Sequence, residues 1–175
     1  KIAQDFFLVY SPERISPELK IKKKEIKYNL HNTPKICAGY SSKCLNLGEE
    51  LYKYITKKVI LSASIKSAET AKMVENVFRS VNIALVNELK MFLDKIKIDI
   101  NEVLDLAGTK PFGFMPFYPG PGYGGHCIPI DPFYLSWKSK QFGYSPKFIE
   151  LSAKINNSMP SYIKKNIKKI LKKDK

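Results

Sequence analysis

At 175 residues the chain is sized for one domain, or for one domain with pieces of its neighbours. Its 44% hydrophobic residues can fill a core, yet no apolar run approaches the ~20 residues of a membrane span. The net charge of +14 invites a nucleic-acid reading, but only Arg14 and Arg79 of the 30 basic residues are arginine, whose planar fork suits phosphates and bases.

The lysines gather at 20–27 and 164–175 in a chain also rich in Ile and Asn. They read as solvated faces, with neither nucleic acid nor membrane expected as a partner. The opening KIAQDFFLVY sets an acidic residue soon after one leading lysine, so it does not read as a signal peptide. A start at Lys1 rather than Met suggests a fragment. Cys37, Cys44 and Cys127 are odd in number, which argues against a disulfide framework and for a cytoplasmic setting. Together with His31 and His126 they match no usual zinc-ligand spacing, so no metal is expected.

In chain order, FFLVY at 6–10 predicts a short buried strand ending at Ser11-Pro12. Residues 18–32 are polar, lysine-rich and aperiodic, as in an exposed loop. Strands are predicted at 35–39 and 58–61, with an amphipathic helix at about 43–55 between them. That order resembles the second half of a doubly wound, Rossmann-like domain. A long helix is expected from about 67 to 97, with Glu69 in its first turn. Val74, Val77, Phe78, Val81, Leu85, Leu89, Phe92 and Ile96 recur every three or four residues and predict one buried stripe.

The second half of that helix is apolar nearly all round, which predicts self-association through it. Lys72 and Asn76 stand one turn apart on it, and Arg79 and Asn87 fall within roughly 80° of the same direction. Asn suits a solvated helix face poorly, so these four predict an aimed polar stripe. A short helix capped by Asp99 should come next at about 99–107, then a Gly- and Pro-rich loop over 109–132. Helices resume at about 131–142 and from about 146 onward, with Pro160 as a place to bend.

The fold class is therefore α/β followed by mostly α: the C-terminal part of a Rossmann-like domain joined to a helical central domain with one long helix. The expected divisions are 1–63, an incomplete nucleotide-binding part; 64–156, the helical central and dimerisation domain; and 157–175, the start of a connection onward.

The chemistry concentrates in PGPGYGGHCIPIDPFYL at 119–135. Gly120-Pro-Gly122-Tyr-Gly124-Gly125 satisfies G-x-G-x-x-G literally, but a dinucleotide fingerprint must follow a strand and open a helix. Here Pro119 precedes the run, and Pro129 and Pro132 break any helix beyond it, so the match is rejected. What the glycines permit is close approach of backbone to a ligand and an unusual conformation before Cys127. A cysteine there, four residues before Asp131, is a candidate nucleophile.

This segment, with YSPER at 10–14 and AETAKMVENVFRSVNIALVNEL at 68–89, resembles the UDP-glucose/UDP-N-acetylglucosamine/GDP-mannose dehydrogenase family, most nearly its UDP-N-acetylglucosamine 6-dehydrogenase branch. The resemblance covers the end of that family's NAD-binding domain and its central domain. It lacks the amino-terminal fingerprint and most of the UDP-sugar-binding domain. It implies NAD as cofactor, a UDP-sugar substrate, a homodimer through the helix at about 67–97, and oxidation of the sugar C6 alcohol through a thioester on Cys127; the alternatives are UDP-glucose or UDP-N-acetylmannosamine as substrate, or a truncated, non-catalytic dimerisation module. It further implies that Lys72 and Asn76 stabilise an oxyanion, that Asp131 assists proton transfer, and that Glu13 joins them from the SPE motif. Gly124, Gly125 and Arg79 would contact substrate, and Lys110 lies near a position from which a basic residue reaches the partner subunit's sugar. Two departures stand out: SPERISPEL lacks a glycine after its second proline, and Tyr123 replaces a smaller apolar residue.

Overall fold

The computed structural model describes residues 1–15, 29–125 and 128–173 and divides into two units, Lys1–Lys72 and Met73–Lys175. Most of the lysine-rich loop expected at 18–32 lies outside the described residues, as do His126 and Cys127.

The first unit is built on a three-stranded sheet of β1 (Val9–Tyr10), β2 (Lys35–Gly39) and β3 (Val59–Leu61), in that order. β2 and β3 run parallel, pairing Lys35 with Val59 and Cys37 with Leu61, and helix α1 (Ser42–Lys53) connects them. Ser41 starts α1 by accepting a hydrogen bond from the Cys44 amide at 3.3 Å, the usual task of a serine in that place. Cys37, Ala38 and Cys44 are fully buried where α1 covers the sheet. Cys37 and Cys44 are thus core residues. Burial, reinforced by Glu49, pushes the Cys37 thiol up. The Ser41 hydroxyl draws the Cys44 thiol down.

Two details of this unit differ from expectation. β1 spans only Val9–Tyr10 and pairs antiparallel to β2, Val9 with Gly39 and Tyr10 with Ala38. Phe6, Phe7 and Leu8, expected in a buried strand, are 42–53% exposed. The physical reason is position: β1 is an edge strand with a single described neighbour, and the described residues of this unit leave those before it exposed. An antiparallel edge on an otherwise parallel sheet is a common variant of the doubly wound pattern.

Helix α2 (Ile65–Leu93) begins in the first unit and continues into the second. It stops four residues short of the expected end, because Lys97 takes a positive φ of 61° and Ile98 N–H bonds back to the Leu93 carbonyl. Asp99 then caps α3 (Ile100–Gly108) by accepting from the Asn101 amide at 2.9 Å, as expected. The loop runs to Ile130, followed by α4 (Asp131–Lys140) and α5 (Lys147–Lys173), which carries Pro160 in its interior. The architecture is α/β followed by mostly α, ending in one long helix. Among the described residues no helix is long and apolar enough to cross a membrane.

The largest correction concerns which face of α2 is inside. Val74, Phe78, Leu85, Leu89, Phe92 and Ile96, expected in one buried stripe, are 38–56% exposed. Ala68, Asn76, Ser80, Ala84, Val86 and Asn87 are the buried ones. The polar side turns inward because α5 and the loop bond to it, Ser80 to Ser152 at 3.2 Å and Asn87 to Asn156 at 2.9 Å. A smaller apolar cluster forms where Val86 meets Ile100 and Leu104, with Leu93 and Phe117 against it.

The junction of β2 and α1 yields a stability prediction. A Cβ at Gly39 would lie 2.6 Å from the Leu45 Cα and collide with its amide nitrogen, both of them backbone that cannot swing away. Gly39→Ala should therefore lower stability by about 1–3 kcal/mol or more, the range for overpacking. Denaturant unfolding of the variant at an unchanged midpoint would contradict this packing.

Candidate active site

Asp131 is the first residue of α4, and Pro132 comes directly after it. Proline is favoured there because it has no amide hydrogen to leave unbonded. Ile130 precedes them without a side-chain cap, so the acidic residue sits where the helix dipole favours negative charge. The Asp131 carboxylate accepts a hydrogen bond from Asn76 Nδ2 at 2.5 Å, and Arg79 Nη2 donates to Asn76 Oδ1 at 2.5 Å.

The orientation of the Asn76 amide is dictated by chemistry. A guanidinium can only donate, so it must face the amide oxygen, which leaves the amino group for the carboxylate. Asn76 is fully buried, and one of its two N–H groups remains for a further acceptor.

The other expected residues occupy varied settings. Lys72 is half-buried, one turn ahead of Asn76 on α2. Glu13, in the first unit, is exposed; its Oε1 accepts from the Arg14 and Ile15 amides at 2.9 and 2.8 Å, and its Oε2 pairs with Lys35 Nζ at 3.1 Å. Partial burial raises its carboxyl, but those amides and Lys35 together outweigh it and hold the group below the ordinary range. The SPER segment is further tied beside β2 by Ser11 Oγ donating to the Ile36 carbonyl and Arg14 Nη1 donating to the Pro34 carbonyl. Lys110 is exposed, its ammonium 4.8 Å from the centre of the Phe112 ring. Gly124 and Gly125 are exposed with φ of 66° and 72°, a conformation that side chains disfavour. Cys127 lies outside the described residues.

The expected polar stripe divides. Asn76 meets Asp131 and is itself held by Arg79, whereas Asn87 turns to the loop and accepts the Gly120 amide at 2.9 Å. Asn156 on α5 completes that second group and is not singled out by the sequence. The signal for it is the same as for Asn87, an asparagine inside a helix, where it is a weak helix former. Tyr123 buries its hydroxyl without a partner among the described residues, and burial pushes its phenol up. Among the described residues, Gly120–Gly125 follow no strand and open no helix, so this run does not fit a dinucleotide pyrophosphate.

Comparison with known proteins identifies the family. Residues 66–158 match the central domain of the UDP-glucose/GDP-mannose dehydrogenase family. The chain is 43% identical over 172 residues to a UDP-N-acetyl-D-glucosamine 6-dehydrogenase of Salmonella typhi, covering 97% of this chain and 39% of that protein. It is 36% identical over 177 residues to a UDP-N-acetyl-D-mannosamine dehydrogenase of Methanocaldococcus jannaschii, covering 99% of this chain and 39% of that protein. Among solved structures it is similar to the UDP-D-ManNAc dehydrogenase of Pyrococcus horikoshii, with a TM-score of 0.84, 32% identity and coverage of 97% and 38%. The chain thus spans about two fifths of the length of such relatives. With its central segment, its long helix and its loop all matched, this chain belongs to the UDP-glucose/GDP-mannose dehydrogenase family.

Proposed function

We propose that this chain provides the thiol-bearing central segment of an NAD-dependent dehydrogenase that oxidises the C6 alcohol of a UDP-sugar, UDP-N-acetylglucosamine, to the uronic acid. The observation that carries the reading is the Arg79–Asn76–Asp131 chain of hydrogen bonds, set at the head of the helix directly after the Cys127 loop. Oxidising an alcohol to an acid removes two electron pairs, one to each of two NAD molecules in turn, held by residues other than the Gly120–Gly125 run.

The chain's own residues have these roles. The Cys127 sulfur adds to C6 of the aldehyde, forming a C–S bond and turning the carbonyl oxygen into a thiohemiacetal hydroxyl. Oxidation of that carbon leaves a thioester, and water then breaks the C–S bond, releasing the carboxylate and restoring the thiol. Lys72 and the free N–H of Asn76 donate to the C6 oxygen as negative charge develops there. Asp131, oriented by Asn76, takes the proton of the attacking water. Glu13 assists from the SPE motif, while Gly124, Gly125 and Arg79 border the sugar and Lys110 reaches the partner subunit's site. The domain division at 63/64 and the onward connection from 157 belong to this reading.

The names of the relatives support a second substrate, UDP-N-acetylmannosamine, which differs only in the configuration at C2. Offering both sugars, together with UDP-glucose, to the intact polypeptide separates these readings by their kcat/KM. Cys127→Ala should abolish uronic acid formation with every one of them. NADH production at the original rate by that variant would remove Cys127 from the chemistry. Lys72→Ala and Asn76→Ala should each lower kcat about 10²–10³-fold, the effect of losing an oxyanion donor, and leave KM less affected. Single-turnover rates equal to those of the unmodified protein would end that assignment.

Self-association belongs to the same proposal. The exposed stripe from Val74 to Ile96 is an apolar surface of the kind soluble monomers rarely leave uncovered, and a second copy related by a two-fold axis would bury it against itself. Glutamates introduced at Leu85 and Leu89 should dissociate the dimer. Sedimentation that finds a folded monomer at high concentration of the unmodified chain would refute it.

A further inference from the structure

The loop leading to Cys127 is gripped by two buried asparagines. Asn87 Oδ1 accepts the Gly120 amide at 2.9 Å, Asn87 Nδ2 donates to Asn156 Oδ1 at 2.9 Å, and Asn156 Nδ2 donates to the Ser80 carbonyl at 3.1 Å. Both asparagines are fully buried. The direction of this chain of bonds is dictated at its two ends. A backbone N–H can only donate and a backbone carbonyl can only accept, so each amide has one admissible orientation.

A second contact lies two residues further on. Gly122 has a φ of 150°, and a Cβ there would stand 3.6 Å from the backbone oxygen of Asn156. The loop is therefore held by a side chain of α2 at Gly120 and laid along α5 at Gly122.

Ordinary packing asks for no amide at these positions. Asparagine is a weak helix former, and a buried amide is costly unless its bonds are made. One bond of Asn87 leaves the helices for the loop. The neighbouring Ser80–Ser152 pair, equally buried, bonds only within and between helices.

We propose that Asn87, supported by Asn156, is a positioning residue that sets where the loop delivers the Cys127 sulfur. This rests on Cys127 being the nucleophile. A covalent step needs the attacking atom in near-contact with its target, and a displacement of about 1 Å can cost about 10²-fold in rate.

The test uses the intact polypeptide, supplied with NAD and UDP-sugar, in three variants. Asn87→Ser loses the reach to Gly120, Asn156→Ser removes the support behind it, and Ser152→Ala removes a buried bond that touches no loop atom. In the unmodified protein the Gly120 amide should exchange with solvent as slowly as interior helical amides. Asn87→Ser should free that amide, change the rate at which iodoacetamide alkylates Cys127, and lower kcat about 10–100-fold with KM within about twofold. Asn156→Ser should act in the same direction to a smaller extent, and Ser152→Ala should lower the melting temperature alone.

The proposal is overturned by a Gly120 amide that exchanges like free loop in the unmodified protein. A folded Asn87→Ser with unchanged alkylation and kcat overturns it too, as does Ser152→Ala reproducing its effects. Should Asn87→Ser not fold, Gly120 exchange and Asn156→Ser decide. An unmodified protein that makes no NADH from any UDP-sugar sinks the catalytic reading, while exchange and alkylation still judge the grip.

Discussion

A buried amide group without a hydrogen-bond partner costs about 1–3 kcal/mol, and helix α2 turns two whole asparagine side chains inward. That requirement organises the second unit. Asn76 is satisfied only with Asp131 and Arg79 in place, which fixes the head of α4. Asn87 is satisfied only with Gly120 and Asn156 in place, which fixes the loop and α5. One face of one helix thus determines where three other segments lie. Hydrophobic burial adds to this in the cluster of Val86, Ile100 and Leu104, and at Ile149, Ala153 and Met159 on α5.

Placing polar groups inside moves the apolar ones outside. The stripe from Val74 to Ile96 keeps the three-to-four spacing of a core face while remaining exposed. For a lone chain this arrangement is inverted. It becomes ordinary if the solvent side is the inside of an assembly, since homodimer contacts resemble a core cut in half.

Much of this is legible in the residues. β2 spans 35–39 as its apolar centre Ile36–Ala38 suggests, α3 starts behind Asp99, and α4 starts at Asp131-Pro132, because caps and prolines act through local bonds. Asn76 stands out as an amide in a helix interior and does meet Asp131. What periodicity cannot supply is the identity of the covering surface. It reports that Val74, Phe78 and Leu85 share a face, and stays silent on whether that face meets the same chain. FFLVY misleads for a related reason: its composition suits a strand, but burial depends on neighbours that lie elsewhere. Asn156 carries the same mark, an asparagine inside a helix, but its partners Asn87 and Ser80 are distant in sequence, and pairing across such a distance leaves no short-range pattern.

Asn76 and Asn87 stand eleven positions apart on α2, and Gly120 and Asp131, which they hold, are also eleven apart. Along the helix that interval rises about 16 Å and brings the two asparagines back to within ~20° of the same side. The same number of residues in extended chain could reach about 36–40 Å. The segment between the two holds is therefore more than twice as long as the gap it bridges. Both of its ends are nevertheless closed upon one rigid rod, so the entropy of bringing them together is met by the fold rather than by a ligand. The two asparagines thus act as a gauge for this stretch of chain, whose end points are set during folding and before any substrate arrives.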